Sequence, residues 1–393
     1  MEPPSGRTPR PATRDIDRRR FLLAAGGAAV YLTLGPALAA ARRLPDSRSA
    51  LQPWRLPDDL PSNPEDAARA LIAAAVLAPS DWNSQPWRFE VEGNLIRLVA
   101  DSRRALPVTD PERHGMLIGL GAALENMLIA ARAWGQRPSV HYLPHDGARG
   151  VVAEVSWMGG EPRRDRALLA NIPARRTNRH DFDERGIFSQ NRALLMAEAM
   201  EGLRFHWLDD PERVRSVGDV AYEATRFQNG DRRAQGEQFG WMRFDGDEKK
   251  RGDGIAVDRL ELSGPAGWLA GRYFRPGSWF QRFGTEYAAK QARNQVKSSG
   301  ALLLVAAPRT DDAQCLLCGQ SYERLALKAT HLGIANQILS APTEVAHLRP
   351  ELKRLFGAAA QEEPLLLVRL GHARSPDPTT RRAVSLVSTF RNT

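Results

Sequence analysis

Residues 121–135 read GAALENMLIAARAWG, and residues 319–333 read GQSYERLALKATHLG. Each stretch opens on glycine, places glutamate four residues on and alanine ten on, and closes on glycine fourteen on. Gly121, Glu125, Ala131 and Gly135 thus recur as Gly319, Glu323, Ala329 and Gly333, offset by 198 residues. Between them the apolar positions follow helical spacing on a broad face. The closing glycines suit the left-handed cap of a helix. An offset of half of a 393-residue chain predicts an internal duplication.

Two modules can be drawn around the repeat. The first, over residues 60–160, has a helix from about Pro64 and strands at Trp87–Val91 and Leu95–Val99. Its long helix follows over Pro111–Trp134, with Pro111 in the first turn after Thr109 and Asp110. Strands near Val140–Leu143 and Val151–Trp157 complete it. The second, over residues 165–390, has helices at Arg192–Met200 and Pro211–Arg226. Its strands are at Leu203–Leu208, Ala301–Ala306 and Pro364–Leu370. Helices and short strands alternate without a βαβ rhythm, which predicts an α+β fold of helices on a mixed sheet. Residues 226–258 are polar, charged and glycine-rich, and read as an exposed insertion and a candidate lid.

Composition is that of a globular protein, with 42% hydrophobic and 26% charged residues. Of the formal charge of +9, residues 1–39 carry +3, from six arginines against Glu2, Asp15 and Asp17. The remaining arginines are dispersed, which argues against nucleic acid as a partner. The N-terminus reads as an address. Arg18-Arg19-Arg20-Phe21-Leu22 precedes an apolar run that ends at Ala37-Leu38-Ala39. This resembles a twin-arginine export signal over residues 1–39, with Asp17 where serine or threonine is commoner. It implies the twin-arginine translocase as a partner and a periplasmic or extracytoplasmic location; an uncleaved membrane anchor is the alternative. No later stretch is expected to span a bilayer. The two cysteines, Cys315 and Cys318, form a CxxC within the second repeat helix. Three apart on a helix, they share a face and read as core, a redox dithiol being the other reading. A zinc site is not expected, since no histidine cluster lies near. His114, His180 and His331 read as core or surface residues.

Three polar clusters remain. The first is Pro79, Ser80, Asn83, Gln85, Pro86 and Trp87 in APSDWNSQPWRF, at a helix end. The second is Arg175-Arg176-Thr177-Asn178-Arg179, where Arg175 and Arg179 flank a hydroxyl at a spacing that would face one anion from a helix start. The third is Arg381-Arg382, after SPDPTT. Taken together, these clusters, the Gly-x3-Glu helices and SAPTEV resemble the nitroreductase-like FMN oxidoreductases. The motif order departs from an ordinary member, since the arginine motif follows Trp87 by 88 residues and does not precede it. It is closer to the Acg-type branch, in which two nitroreductase modules are fused in one chain.

That resemblance implies the FMN-dependent nitroreductase-like fold, with tandem modules forming an intramolecular pseudo-dimer that is monomeric as a chain. It implies one FMN per chain, bound by Pro79, Ser80, Asn83 and Gln85 of the first module and by Arg175, Arg176, Thr177, Arg179, Arg381 and Arg382 of the second. Within the first cluster, Trp87 reads as packing that holds the turn. Asn294 and Lys297 resemble an Asn-x-x-Lys that touches the polar edge of the ring system. Glu344 and Val345 resemble a Pro-x-Glu-Gly turn, with valine in place of the glycine. The implied activity is ping-pong transfer of hydride or two electrons to nitro, quinone or similar acceptors. The flavin carries that chemistry, no side chain is singled out as catalytic, and NAD(P)H is a candidate donor. The alternative is a flavin-sequestering protein with little turnover, favoured by the scarcity of NAD(P)H outside the cytoplasm.

Overall fold

The computed structural model describes residues 54–144, 150–160, 162–183, 185–244, 246–256 and 280–391. Residues 1–39, expected to be an export signal, and part of the 226–258 stretch lie outside the described residues. In chain order the elements are α1 (Pro64–Ala75), β1 (Trp87–Glu92), β2 (Leu95–Ala100), α2 (His114–Ala133), β3 (Gln136–Tyr142) and β4 (Val151–Gly159). There follow α3 (Arg166–Asn171), α4 (Ser189–Met196), β5 (Arg204–Leu208), α5 (Pro211–Gly230), α6 (Arg232–Gly240), β6 (Met242–Arg243), α7 (Gly246–Lys249) and β7 (Ile255–Ala256). The chain then forms α8 (Phe280–Lys297), β8 (Ala301–Ala307), α9 (Asp312–His331), β9 (Ala335–Ile338), α10 (Ala341–Glu344), α11 (Arg349–Phe356), β10 (Glu363–Gly371), α12 (Val384–Val387) and β11 (Ser388–Phe390).

Two antiparallel sheets share one plan. The first runs β1-β2-β4-β3, and the second runs β5-β8-β10-β9. In each, the long repeat helix lies in the chain between the second strand and the strand at the far edge. The difference is in the connections. β1 turns into β2 through Gly93 at φ +57° and Asn94, whereas α5 to α8 are inserted between β5 and β8. The first sheet gains a fifth strand from the far end of the chain. β11 lies beside β1 in parallel, with Phe89 opposite Ser388.

Burial follows from position in the layers. β1 alternates buried and exposed residues, one face on the core. β8, ALLLVAA, is buried throughout. Its Leu303, Val305 and Ala307 join the core shared with the repeat helices, and Leu302 and Leu304 join a second cluster with Val217, Val296 and Leu352. The second sheet therefore has helices on both faces, which explains an unbroken apolar run where one-sided strands alternate.

The repeat helices α2 and α9 cross at their glycines. A Cβ on Gly121 would collide with the Leu316 carbonyl and lie 3.1 Å from the Gly319 Cα. A Cβ on Gly319 would collide with the Ile118 carbonyl and lie 2.9 Å from the Ala122 nitrogen. Ile118 and Leu316 are themselves 198 residues apart, so the contact is reciprocal, as a two-fold relation requires. Both helices end on glycine in the left-handed region, Gly135 at φ +76° and Gly333 at φ +69°.

Several expectations need correction. α2 begins at His114, not Pro111: Arg113 sits in the left-handed region at φ 60°, and the Asp110 carboxylate accepts from the Met116 N–H (2.9 Å). α2 is also long and apolar enough to cross a membrane, with mean hydropathy 1.4, but it is buried at the centre of the molecule. The 226–258 stretch is not simply exposed. α5 runs on to Gly230, and Gly252–Ile255 is buried against the turn at residues 83–85.

Candidate functional site

The site grows from the turn after α1. Residues 81–83 form one 3-10 turn, and Trp82, Asn83 and Gln85 all take positive φ (52°, 52° and 50°). Each such conformation costs a side-chain-bearing residue about 1 kcal/mol or more, so other bonds must hold the turn. Ser80 Oγ accepts from the Gln85 N–H (2.9 Å). Asn83 Nδ2 donates to the carbonyls of Gly254 (2.9 Å) and Thr380 (3.2 Å). Gln85 Nε2 donates to the Gly252 carbonyl (2.8 Å), and its Oε1 accepts from the Arg382 N–H (2.9 Å). The turn is thus clamped by the insertion and by the C-terminal segment. Trp87 is fully buried behind it.

Arg175 to Arg179 is extended, not the start of a helix, because it lies along the edge of the second sheet. Thr177 bridges Asn336 of β9, and the Asn178 N–H donates to the Asn336 carbonyl (3.0 Å). In an extended segment residues 175, 177 and 179 share a side, which achieves the convergence expected of a helix by another route.

Two connected spaces open between these elements. A cavity of about 450 Å³ is lined from the first module by Pro79, Ser80, Asp81, Asp110, His114 and Ile118. From the second module Thr177, Arg179, Gln295, Tyr322, Leu339 and Glu344 line it. A smaller space of about 60 Å³ shares Pro79, Ser80, Thr177 and Arg179, and adds Asn83, Arg175, Arg176, Arg381 and Trp54.

The small space concentrates positive charge. Arg175 is buried; its Nη2 donates to the Leu77 carbonyl (3.2 Å) and its Nε lies 3.3 Å from Glu323 Oε1. Arg381 donates to the carbonyls of Leu77 and Ala78 and to Asn83 Oδ1. Arg176 lies 4.4 Å over the Trp54 ring. Among the described residues, Arg175 Nη1 and Arg381 Nε are buried without a hydrogen bond. Burial, with Arg175 and Arg176 close by, pushes Arg381 down to about 9; burial and Arg175 push Arg176 down to about 10. Like charges held this close, with donors left over, fit an anion at that point.

The large cavity is acidic by contrast. Burial, then Asp110, raises Asp81 to about 7. Burial, then Asp81, raises Glu344, although Gln228 Nε2 donates to it (2.6 Å). A carboxyl group facing this cavity therefore holds a proton near neutral pH.

The other candidates divide. Pro79, Ser80, Thr177 and Arg179 line both spaces, and Glu344 lines the cavity. Asn83 lines the small space, but its amide is taken by Gly254, Thr380 and Arg381. Gln85 lines neither space and acts as a strut. Arg382 also faces away; its guanidinium donates to the carbonyls of Gln85 and Leu386, because successive residues of an extended segment point to opposite sides. Asn294 and Lys297 are exposed on the outer face of α8, and Gln295 between them lines the cavity instead. Val345 is buried behind the lining at φ −80°, so nothing there demands glycine. The CxxC is core: both thiols are free and buried, and burial pushes Cys315 up to about 12. Sequence reasoning missed Asp81, Trp54, Gln295 and Tyr322. Asp81 stood inside the quoted motif, whereas Trp54 and Tyr322 carry no local signal.

No protein-family model matches the chain. A Mycobacterium tuberculosis H37Rv protein named "Putative NAD(P)H nitroreductase" is 27% identical over 331 residues, 82% of this chain and 91% of that one. "Putative NAD(P)H nitroreductase acg" of the same strain is 27% identical over 336 residues, 81% of this chain and 93% of that one. Among solved structures, the FMN-dependent nitroreductase NfnB of Mycobacterium smegmatis in complex with NADPH is 15% identical. Its TM-score is 0.35, over 58% of this chain and 99% of that one. By sequence, over four-fifths of its length, the chain is similar to proteins named "Putative NAD(P)H nitroreductase", acg among them.

Proposed function

We propose that this protein is an FMN-dependent oxidoreductase, with one flavin held between its two modules. The observation that carries the reading is the guanidinium cluster of Arg175, Arg176, Arg179 and Arg381 beside a cavity of about 450 Å³. A cavity of that volume is in the range that encloses a cofactor-sized ligand. The small space suits a phosphate, since Arg175, Arg176, Arg179 and Arg381 line it and it has no room for more than a compact anion. Bound flavin would supply the two-electron chemistry, accepting a hydride from a donor and passing reducing equivalents to an acceptor.

The protein's own part is to bind, orient and supply protons. Ile118, Leu339 and Pro342 wall the cavity with apolar surface and limit water. Asp81 and Glu344 keep protons available at carboxyl oxygens facing the same space. Nitro or quinone acceptors, which take up protons as they are reduced, suit such a lining, and turnover is of the ping-pong kind at one shared face. Residues 1–39 direct twin-arginine export, and the fused pair of modules acts as a monomer.

The test is the spectrum and flavin affinity of the purified chain. FMN is expected to bind at least tenfold more tightly than riboflavin, and the bound flavin to bleach on anaerobic addition of NADPH. A chain that binds neither flavin refutes the reading. One that binds FMN but never bleaches with any donor is a flavin carrier.

A further inference from the structure

Glu125 and Glu323 occupy equivalent places in the repeat, yet their surroundings differ. Glu125 is fully matched: Arg132 Nη2 (2.7 Å), Arg324 Nη1 (3.2 Å) and Gln320 Nε2 (2.9 Å) donate to its carboxylate. Glu323 is completely buried, with the Nε of Arg175 at 3.3 Å and the Asn126 amide alongside. Apart from a loose approach of the Asn126 amide, neither carboxylate oxygen meets a hydrogen-bond donor among the described residues. A buried carboxylate without hydrogen bonds is unfavourable unless a neighbouring charge compensates. Here the compensation comes from Arg175 and Arg381; Asp377, the other acid at the small space, acts on Arg176.

We propose that Glu323 is a positioning residue and the resident counter-charge of the arginine cluster. In this role it takes up a proton when a phosphate group enters the small space, so that phosphate binding is linked to protonation. The inference rests on the flavin-phosphate reading above.

The charged groups around Glu323 come from every element packed on it. Arg175 approaches from the segment 175–179, Arg381 from the C-terminal segment and Glu125 from α2. Burial raises the Glu323 carboxyl to about 7, against the opposing pull of Arg175, so both protonation states are accessible near neutral pH. A phosphate sharing Arg175 with Glu323 adds negative charge next to a carboxylate whose other support is Arg381 and the Asn126 amide. The charged form of Glu323 then becomes less favourable, and it binds a proton.

The test compares FMN with riboflavin, which lacks the phosphate, on the full chain freed of flavin. Effects of Asp81, Asp110 and Glu344 on the ring cavity are common to both ligands and cancel in the comparison. Above pH 7 a phosphate monoester is already dianionic, its second pKa being about 6. Between pH 7 and 8.5 the ratio of FMN to riboflavin affinity is expected to fall, approaching tenfold per pH unit, the limit for one linked proton. Calorimetry in buffers of different ionisation enthalpy should show proton uptake with FMN beyond that with riboflavin. Glu323→Gln should abolish the excess and bind FMN about tenfold more tightly than the parent at pH 8, where a purely structural role would weaken binding. A ratio that stays flat with pH in the parent chain overturns the inference, whether or not the variant folds. So does the same proton count in parent and variant. Equal affinity for FMN and riboflavin at pH 7 overturns the phosphate reading itself, and the inference with it.

Discussion

Gly121 and Gly319 meet backbone to backbone where α2 crosses α9, with room for no side chain at either position. The atoms in the way are carbonyls and helix backbone, which cannot swing aside as a side chain can. Gly121→Ala or Gly319→Ala must therefore push two buried helices apart, at a cost of about 2–4 kcal/mol. The expected result is a thermal midpoint lower by about 3–6 °C for a chain of this size. Gly236 provides the contrast, since nothing lies within 4 Å of an added Cβ in α6. Gly236→Ala should stabilise by about 0.5–1 kcal/mol, through helix propensity alone. Unchanged melting in Gly121→Ala would mean that the helices do not cross at these residues.

The position of the basic pair is equally open to test. Arg381 and Arg382 are adjacent in sequence, but only Arg381 reaches the small space. Because Arg381 also braces the turn after α1, Arg176 is the cleaner probe: it is half-buried, stacks on Trp54, and donates to the nearby carbonyls of Pro173 and Arg175, not to that turn. Losing one charge-assisted contact to phosphate is worth about 1.5–3 kcal/mol. Arg176→Gln should therefore weaken FMN at least tenfold and leave riboflavin unchanged. Arg382→Gln, measured the same way, should alter the two ligands alike. A larger selective loss in Arg382→Gln than in Arg176→Gln would place the phosphate elsewhere.

These two cases show what was legible in the sequence. Helix period, capping glycines and strand alternation are local, so the duplicated helices and most strand positions could be read directly. The crossing at Gly121 and Gly319 was implicit in the repeat, since glycines at matching helical positions allow close approach. Contacts between distant segments were harder. Gln85 and Asn83 looked like ligand residues because amides at a helix end suit one, but their partners are backbone carbonyls of residues 252, 254 and 380. Which member of an adjacent arginine pair faces inward depends on what the C-terminal segment packs against, which the pair itself does not encode. Asn294 and Lys297 failed for a related reason: a motif match does not say which face of α8 is buried, and Gln295 holds the inward place. The arginine motif lines the small space although it does not start a helix, because alternate residues of an extended segment converge as well as those of a helix.

Acidity inside the cavity gives stability a definite pH dependence. Asp81 is raised from its ordinary 3.8 to about 7 by burial and by Asp110. An acid whose folded value is raised binds its proton more tightly folded than unfolded. Its contribution is complete below about pH 4 and is lost as pH rises towards 7 and above. The flavin-free chain should then melt higher at pH 5 than at pH 8. Asp81→Asn should recover about 2–6 °C at pH 8 and change little at pH 5. Equal melting of parent and variant at both pH values would show that Asp81 ionises freely in the folded chain.

The CxxC pair invites a redox assignment that its surroundings oppose. Cys315 and Cys318 are free and buried in α9, packed in the core with Leu316, Tyr322 and Leu325. Burial, reinforced by Asp312 and Asp110, pushes the Cys315 thiol up to about 12, and burial lifts Cys318 well above its ordinary value. Thiolate is the reactive form, so at pH 8 neither sulfur should react with a thiol reagent until the chain unfolds. Cys318→Ser buries a hydroxyl where a sulfur packed, and should cost about 1–3 kcal/mol of stability. Neither flavin affinity nor the rate of bleaching by a donor should change in that variant, because Cys318 lines neither space. Rapid labelling of both cysteines in the native chain, or loss of bleaching in Cys318→Ser with FMN still bound, would restore the dithiol as a participant.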